Sequence, residues 1–197
     1  VNKYINIPLA PSNKQAIIDA YAKAITPKTK LILVTHIINI TGQIMPVREI
    51  CDMAHAKGIE VIVDGAHSFG LLDFRINDLD CDYFATSLHK WFGAPIGAGL
   101  LYMKTSKIAK VWPLLGDTGK DRNSMEKFEH LGTNPPAVYL SVRAALDFNL
   151  LMGIKLKEER LRYLKNYWVD KVKDIPKVKI LTPATDQSCA IATFAID

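Results

Sequence analysis

Short, unbroken apolar runs alternate along this chain with stretches in which apolar residues recur every three or four positions. Leu31-Ile-Leu-Val34, Val61-Ile-Val63 and Asp82-Tyr-Phe-Ala-Thr86 lack polar alternation. That pattern predicts strands buried on both faces of a parallel sheet. Between the first two runs, Pro46 suits a first helical turn, Val47, Ile50 and Ala54 keep helical spacing, and Gly58 supplies a stop. Residues 31–64 therefore read as one βαβ unit. Upstream, Ser12 and Gln15 form a capping box for a helix carrying Ile17, Ile18, Tyr21 and Ile25. A further strand is expected over Ala98-Gly-Leu-Leu-Tyr-Met103, entered through a turn at Gly93, Gly97 and Gly99. The rhythm predicts the α/β class: a mostly parallel, doubly wound sheet flanked by helices.

Residues 104–130 are polar and interrupted by Gly116 and Gly119, which predicts an irregular connection near the mouth of a site. A helix over 137–151 is apolar enough to pack on the sheet. A charged helix over 154–172, with Leu161, Leu164, Trp168 and Val172 on one side, should follow and stop before Pro176. Residues 178–181 and 190–195 then read as the first two strands of a smaller α+β unit. The division is a large domain over 1–152, incomplete at its N-terminus, and a linking helix with the start of a truncated small domain over 153–197.

Composition narrows the function. A chain of 197 residues with 49% hydrophobic content can bury a substantial core. It has no apolar run of membrane-spanning length and no signal-peptide pattern, so the expected location is cytoplasmic, without a membrane partner. Cys51, Cys81 and Cys189 are odd in number and in no metal-ligand spacing, which fits reduced thiols rather than a disulfide framework or a zinc site. The net charge of +5 is spread along the chain, so a phosphorylated cofactor or an acidic substrate is expected in preference to nucleic acid.

In open α/β sheets ligands gather beyond the carboxyl ends of the strands, where His36, Asp64 and Ser87 would fall. Lys90, in Ser87-Leu-His-Lys-Trp91, has a hydroxyl and an imidazole beside it and the Asp64 carboxylate at a neighbouring strand end. That is the equipment for holding pyridoxal 5'-phosphate as a Schiff base. The lysine stem is expected in a semi-buried place that lowers the amine's pKa. Asp64 would face the pyridine nitrogen, or alternatively cap a turn. His67, after a bend at Gly65, could reach the ring oxygen or simply bond a carbonyl. Ser87 and His89, on one side of an extended segment, suit two donors to one phosphate. Asn39 could meet a substrate carboxylate or a cofactor oxygen, and His36 is equally a wall residue. A metal site of His36, His67, His89 and Asp64 would leave Lys90 without a role and place a cation against the ion, so no metal is expected.

These motifs, in order, are Thr35-His36-Ile-Ile-Asn39-Ile-Thr-Gly42 with Pro46, Asp64-Gly-Ala-His67, Ser87-Leu-His-Lys-Trp91, Gly97-Ala-Gly99 and Gly132-Thr133-Asn134. In them the sequence resembles the class V aminotransferases of fold type I, which include cysteine desulfurases, selenocysteine lyases, kynureninases and isopenicillin N epimerase. The match runs from about residue 1 to about residue 152, and Asp-Gly-Ala-His with Leu-His-Lys-Trp looks nearest the epimerase-like branch. The resemblance implies Lys90 as the cofactor lysine, with Asp64, His67, Ser87, His89 and Asn39 in the roles above. It also implies that Thr133 reaches the phosphate in a neighbouring subunit, hence a homodimer with shared sites acting on a small amino acid.

The family's first part, and the end that would carry a substrate-binding arginine or a loop cysteine, have no counterpart here, which suggests a fragment with weak cofactor retention on its own. The expected reaction is transamination or epimerisation, with a desulfurase or lyase of the same family as the alternative. A non-catalytic truncated α/β domain is the rival from another class. A nicotinamide-dependent domain lacks its Gly-x-Gly-x-x-Gly turn.

Overall fold

The computed structural model describes residues 2–9, 13–115, 119–130 and 132–197. Four strands form one sheet in chain order: β1 (Leu31–Thr35), β2 (Glu60–Asp64), β3 (Tyr83–Ser87) and β4 (Gly99–Met103). The first three are parallel, and β4 runs antiparallel to β3. Helix α1 (Lys14–Ala24) precedes β1, and α2 (Val47–His55) makes the crossover to β2. Asn13 caps α1, its side chain accepting the Ala16 N–H at 3.0 Å. The expected Ser12 half of a capping box lies outside the described residues, and Gln15 donates forward to Asp19 at 2.8 Å instead of back to the cap.

Only one face of the sheet is fully covered, which corrects the expectation of strands buried on both. Val34, Val63 and Phe84, in register across β1 to β3, are fully buried against Ile17 and Tyr21 of α1 and Val47, Ile50, Cys51 and Ala54 of α2. Each such aliphatic side chain stabilises the fold by ~1.5–3 kcal/mol when removed from water. On the opposite face Leu31 and Leu33 remain 51% and 61% exposed, because no described element packs over the β1 edge. A groove of about 1150 Å³ follows that edge, lined in part by Tyr4, Ile7, Leu33, Ile38, Asn39 and Ile62.

The connection over 104–130 lies elsewhere than expected. It holds α3's successor α4 (Thr105–Ile108), after the short α3 (Ile76–Leu79), and a 3₁₀ turn at Met125–Phe128. Ile108, Val111, Met125 and Phe128 pack with Tyr83 and Met103. Tyr83 begins β3 and pairs with Met103, so this segment covers the amino end of β3, opposite the site. The cause is the antiparallel β4, which returns the chain to that end. Gly116, one of the expected breaks, lies outside the described residues.

Helix α5 (Pro136–Met152) packs on the turn after β3, in a cluster that also takes in Leu100 of β4. Ala145, Val138 and Val142 pack on Leu88, Phe92, Ala94 and Ala98, while Leu140, Leu150 and Leu151 are largely exposed. Gly153, at φ +78°, ends α5 and begins α6 (Ile154–Val172), and the two axes differ by 75°. Among the described residues no single helix is long and apolar enough to cross a membrane. On α6, Leu161 packs inward and Trp168 meets the Phe194 ring at 6.2 Å, but Leu164 is 42% exposed. The inward position belongs to Lys165, whose Nζ donates to Ser188 Oγ at 2.8 Å.

Strands β5 (Val178–Ile180) and β6 (Phe194–Ile196) pair antiparallel in a separate sheet. β6 starts later than the expected 190–195. Residues 188–193 instead pack on the loop after β1: Gln43 bridges Ser188, Thr193 Oγ1 donates to Ile40 O, and a Cβ on Gly42 would lie 2.1 Å from Ile191 O.

Candidate active site

The carboxyl ends of β1, β2 and β3 deliver His36, Asp64 and Ser87 to one end of the sheet, as expected for this topology. Asp64 closes β2, and its Oδ1 accepts the Ala66 N–H at 2.9 Å. Among the described residues its other carboxylate oxygen has no protein donor. The turn that follows is shaped by packing rather than by glycine's dihedral freedom. A Cβ on Gly65 would sit 1.9 Å from the Phe84 ring, so only glycine lets the turn lie on β3. Thr86 Oγ1 and the Ser68 N–H both donate to Gly65 O, at 3.1 and 3.0 Å, and fix it there.

That turn presents His67 to Lys90. Lys90 Nζ lies 3.0 Å from His67 Nε2, and Trp91 Nε1 donates to His67 Nδ1 at 3.3 Å. The His67 pKa is lowered from its ordinary value: burial disfavours the cation, Lys90 adds to this, and Asp64 acts in the opposite sense. Lys90, at hydrogen-bonding distance, and Asp64, at the start of the same turn, therefore act in opposite senses on the charge of one imidazole.

Lys90 itself is exposed, against the expected semi-buried stem, with His67 Nε2 beside its amine. The shared side expected for Ser87 and His89 also needs correction. Ser87 is the last residue of β3 and half-buried, whereas His89 lies exposed in the bend that follows, where strand alternation has ended. Asn39 is exposed in the turn after β1 and lines the groove along that strand. Thr133 is exposed ahead of α5 and makes no described contact with Asp64, His67 or Lys90.

His36 is a wall residue. It is 5% exposed, meets the Phe74 ring edge-on at 5.0 Å, and burial pushes its pKa down to about 4. Among the described residues no group of three or more His, Cys, Asp or Glu side chains is placed to hold a metal ion. All three cysteines are free and buried. Sequence reading placed Trp91 inside a motif without a role. Its signal was chemical: an indole N–H, which must find an acceptor when half-buried, beside a histidine-bearing turn.

A pyridoxal-phosphate site asks for a reachable primary amine, an acid with a free oxygen for the ring nitrogen, and a donor between them. The exposed Lys90 amine, the open oxygen of Asp64 and the shared His67 fit that request.

Comparison with known proteins agrees. The family described as aminotransferase class-V matches residues 3–197. Isopenicillin N epimerase from Streptomyces clavuligerus is 30% identical over 90% of this chain and 48% of its own length. A probable cysteine desulfurase from Halalkalibacterium halodurans is 32% identical over 91% of this chain and 46% of its own. The chain thus spans about half the length of the curated relatives it matches. Among solved structures, the Escherichia coli cysteine desulfurase CsdA superposes with a TM-score of 0.80 at 23% identity, covering 94% of this chain and 48% of that one. A C-DES mutant carrying glycine linked covalently to its pyridoxal-phosphate cofactor superposes at 0.76 with 24% identity, covering 91% and 50%. These likenesses show the fold, and the family is a pyridoxal-phosphate-dependent one. The chain belongs to the class V aminotransferase family.

Proposed function

We propose that this chain forms the cofactor-holding part of a pyridoxal-phosphate enzyme acting on a small amino acid. The observation that carries the reading is the single imidazole of His67, bonded to Trp91, within 3.0 Å of the Lys90 amine and electrostatically coupled to Asp64. When bound, pyridoxal phosphate supplies an aldehyde carbon to which amines add and a ring that accepts electrons from a substrate Cα. Asp64 would hold the ring nitrogen in its charged form through the free carboxylate oxygen. His67 would offer a hydrogen bond toward the ring oxygen. Ser87, His89 and Asn39 would serve the phosphate and the substrate carboxylate. Lys90 Nζ would carry the cofactor and then hold and move the proton at the substrate Cα.

For the reaction we favour an aminotransferase-like or epimerase-like outcome. Support comes from the hydrogen bond that ties Asp64-Gly-Ala-His67 to Leu88-His-Lys-Trp91, and from the 30% identity to an isopenicillin N epimerase. Cys189 offers little to the desulfurase alternative: it is fully buried, burial pushes its thiol up to about 11, and it donates to Glu158 O. Homodimerisation with Thr133 completing a second site, a cytoplasmic location, and a division into domains 1–152 and 153–197 at the Gly153 break belong to the same proposal.

The test is a panel of alanine, cysteine and a D-amino acid offered to the full chain with added pyridoxal phosphate. Keto-acid formation or inversion at Cα supports the favoured outcome, and sulfide release from cysteine moves the assignment to the desulfurases. No visible band with any substrate or with the cofactor alone supports a non-catalytic domain.

A further inference from the structure

Three side chains stand in a row: Trp91, His67 and Lys90. An indole nitrogen donates and cannot accept, so the His67 nitrogen it reaches, Nδ1, must be free of a proton. A neutral imidazole then carries its proton on Nε2, on the Lys90 side. The other tautomer would set two N–H groups against each other across 3.3 Å. Lys90 is exposed and can turn its N–H groups to water, whereas the half-buried indole N–H finds its acceptor in this ring, so the Trp91 contact decides the tautomer. Burial and the neighbouring Lys90 both disfavour the imidazolium, which keeps this bookkeeping valid near neutral pH.

The backbone that carries the indole is held by two helices. Lys157 Nζ donates to the Trp91 carbonyl, and Asn149 Nδ2 donates to the next carbonyl, Phe92 O, at 2.8 Å. Lys157 also donates to Asn149 Oδ1 at 3.0 Å, so the two side chains brace each other. Asn149 is 8% exposed, and Lys157 is half-buried beside a cavity of about 390 Å³ walled by Trp91, Phe92 and Phe148. The break at Gly153 is what brings a residue of α5 and a residue of α6 to the same turn. An ammonium with three N–H donors can span two acceptors there, which no neutral aliphatic side chain could do.

We infer that Trp91, anchored by Lys157 and Asn149, is a positioning residue that locks His67 in its Nε2–H tautomer and so aims a donor at the Lys90 side of the site. The use of that donor rests on the pyridoxal-phosphate reading, since a negatively charged ring oxygen requires a donor. The tautomer itself is a property of the cofactor-free chain, so it can be tested separately.

The experiment is a long-range nitrogen–proton spectrum of the full chain labelled with ¹⁵N-histidine and free of cofactor, with His67 assigned by its loss in His67→Gln. The expected wild-type pattern is one proton-free Nδ1 and one protonated Nε2. Trp91→Phe keeps the ring and removes the donor, and should convert His67 to a tautomer mixture; Lys157→Met should do so in part. A protonated Nδ1 in the wild type, measurable even if both variants fail to fold, overturns the inference. So does a pattern unchanged in folded Trp91→Phe. Loss of borohydride labelling at Lys90 in the wild type, with the tautomer as expected, would instead sink the cofactor reading and leave this inference standing.

Discussion

The two ends of the central strands carry the same residue types and put them to opposite uses. At the amino end, Asp82 accepts the Val61 N–H at 2.8 Å and His55 Nε2 at 2.9 Å, and pairs with Lys107 at 3.2 Å, with its side chain 3% exposed. Lys107 also reaches Glu60 at 2.7 Å, and Lys104 pairs with Asp80 at 2.6 Å. At the carboxyl end, among the described residues, Asp64 has one protein donor and His67 two hydrogen-bonding neighbours, and Lys90 stands exposed. Acid, imidazole and lysine occur in both places. Saturation of the acid's hydrogen-bonding capacity marks a stabilising cluster, and spare capacity marks a site that can take a ligand.

The contrast breaks most sharply on Lys90→Ala. Cofactor attachment should vanish and turnover should fall by about 10⁴-fold or more, with thermal unfolding barely moved because the side chain is exposed. Asp82→Ala should do the reverse. Removing it leaves the buried Val61 N–H without its acceptor and takes one of the two acidic partners from the part-buried Lys107, which should cost about 1–3 kcal/mol, read from urea unfolding, while cofactor attachment survives. Asp64→Asn should leave attachment intact and slow turnover by about 10²–10³-fold. Wild-type rates in that variant would remove the electron-sink role.

Acidification sharpens the same comparison. Burial alone would raise the Asp82 pKa, but the Val61 N–H, His55 and Lys107 outweigh it and hold the carboxyl below its ordinary value. Lys107 lowers Glu60, and Lys104 lowers Asp80. A carboxyl depressed in the folded state stabilises the fold above its unfolded pKa and loses that contribution as pH falls through the folded one. Urea midpoints should therefore drop below the ordinary carboxylate range, and Asp82→Ala should flatten much of that drop. The smallest effect is at His67, whose ring protonation should be seen by NMR below the usual histidine range, with release of the Trp91 bond.

Much of this was legible in the sequence where a residue's neighbours in the chain are also its neighbours in space. The βαβ unit, the positions of Asp64 and Ser87 at strand ends, and the Asp64, His67 and Lys90 grouping follow from local pattern plus the rule for parallel sheets. What failed depended on long-range packing. The direction of β4 sent residues 104–130 to the far end, and nothing local to Leu31 and Leu33 announces which sheet face is left uncovered. The inward lysines of α6 do carry a local signal: Lys157 and Lys165 fall four residues either side of Leu161, on its stripe. The amino-end cluster had none, since Asp82, His55 and Lys107 meet only through the sheet.

Borohydride reduction of the full chain with pyridoxal phosphate, followed by peptide mass mapping, tests the grouping of Asp64, His67 and Lys90 most directly. The expected result is a phosphopyridoxyl mass on the peptide containing Lys90, absent without reduction and absent in Lys90→Ala. An unmodified Lys90, or label spread over surface lysines such as Lys57 and Lys155, would contradict it.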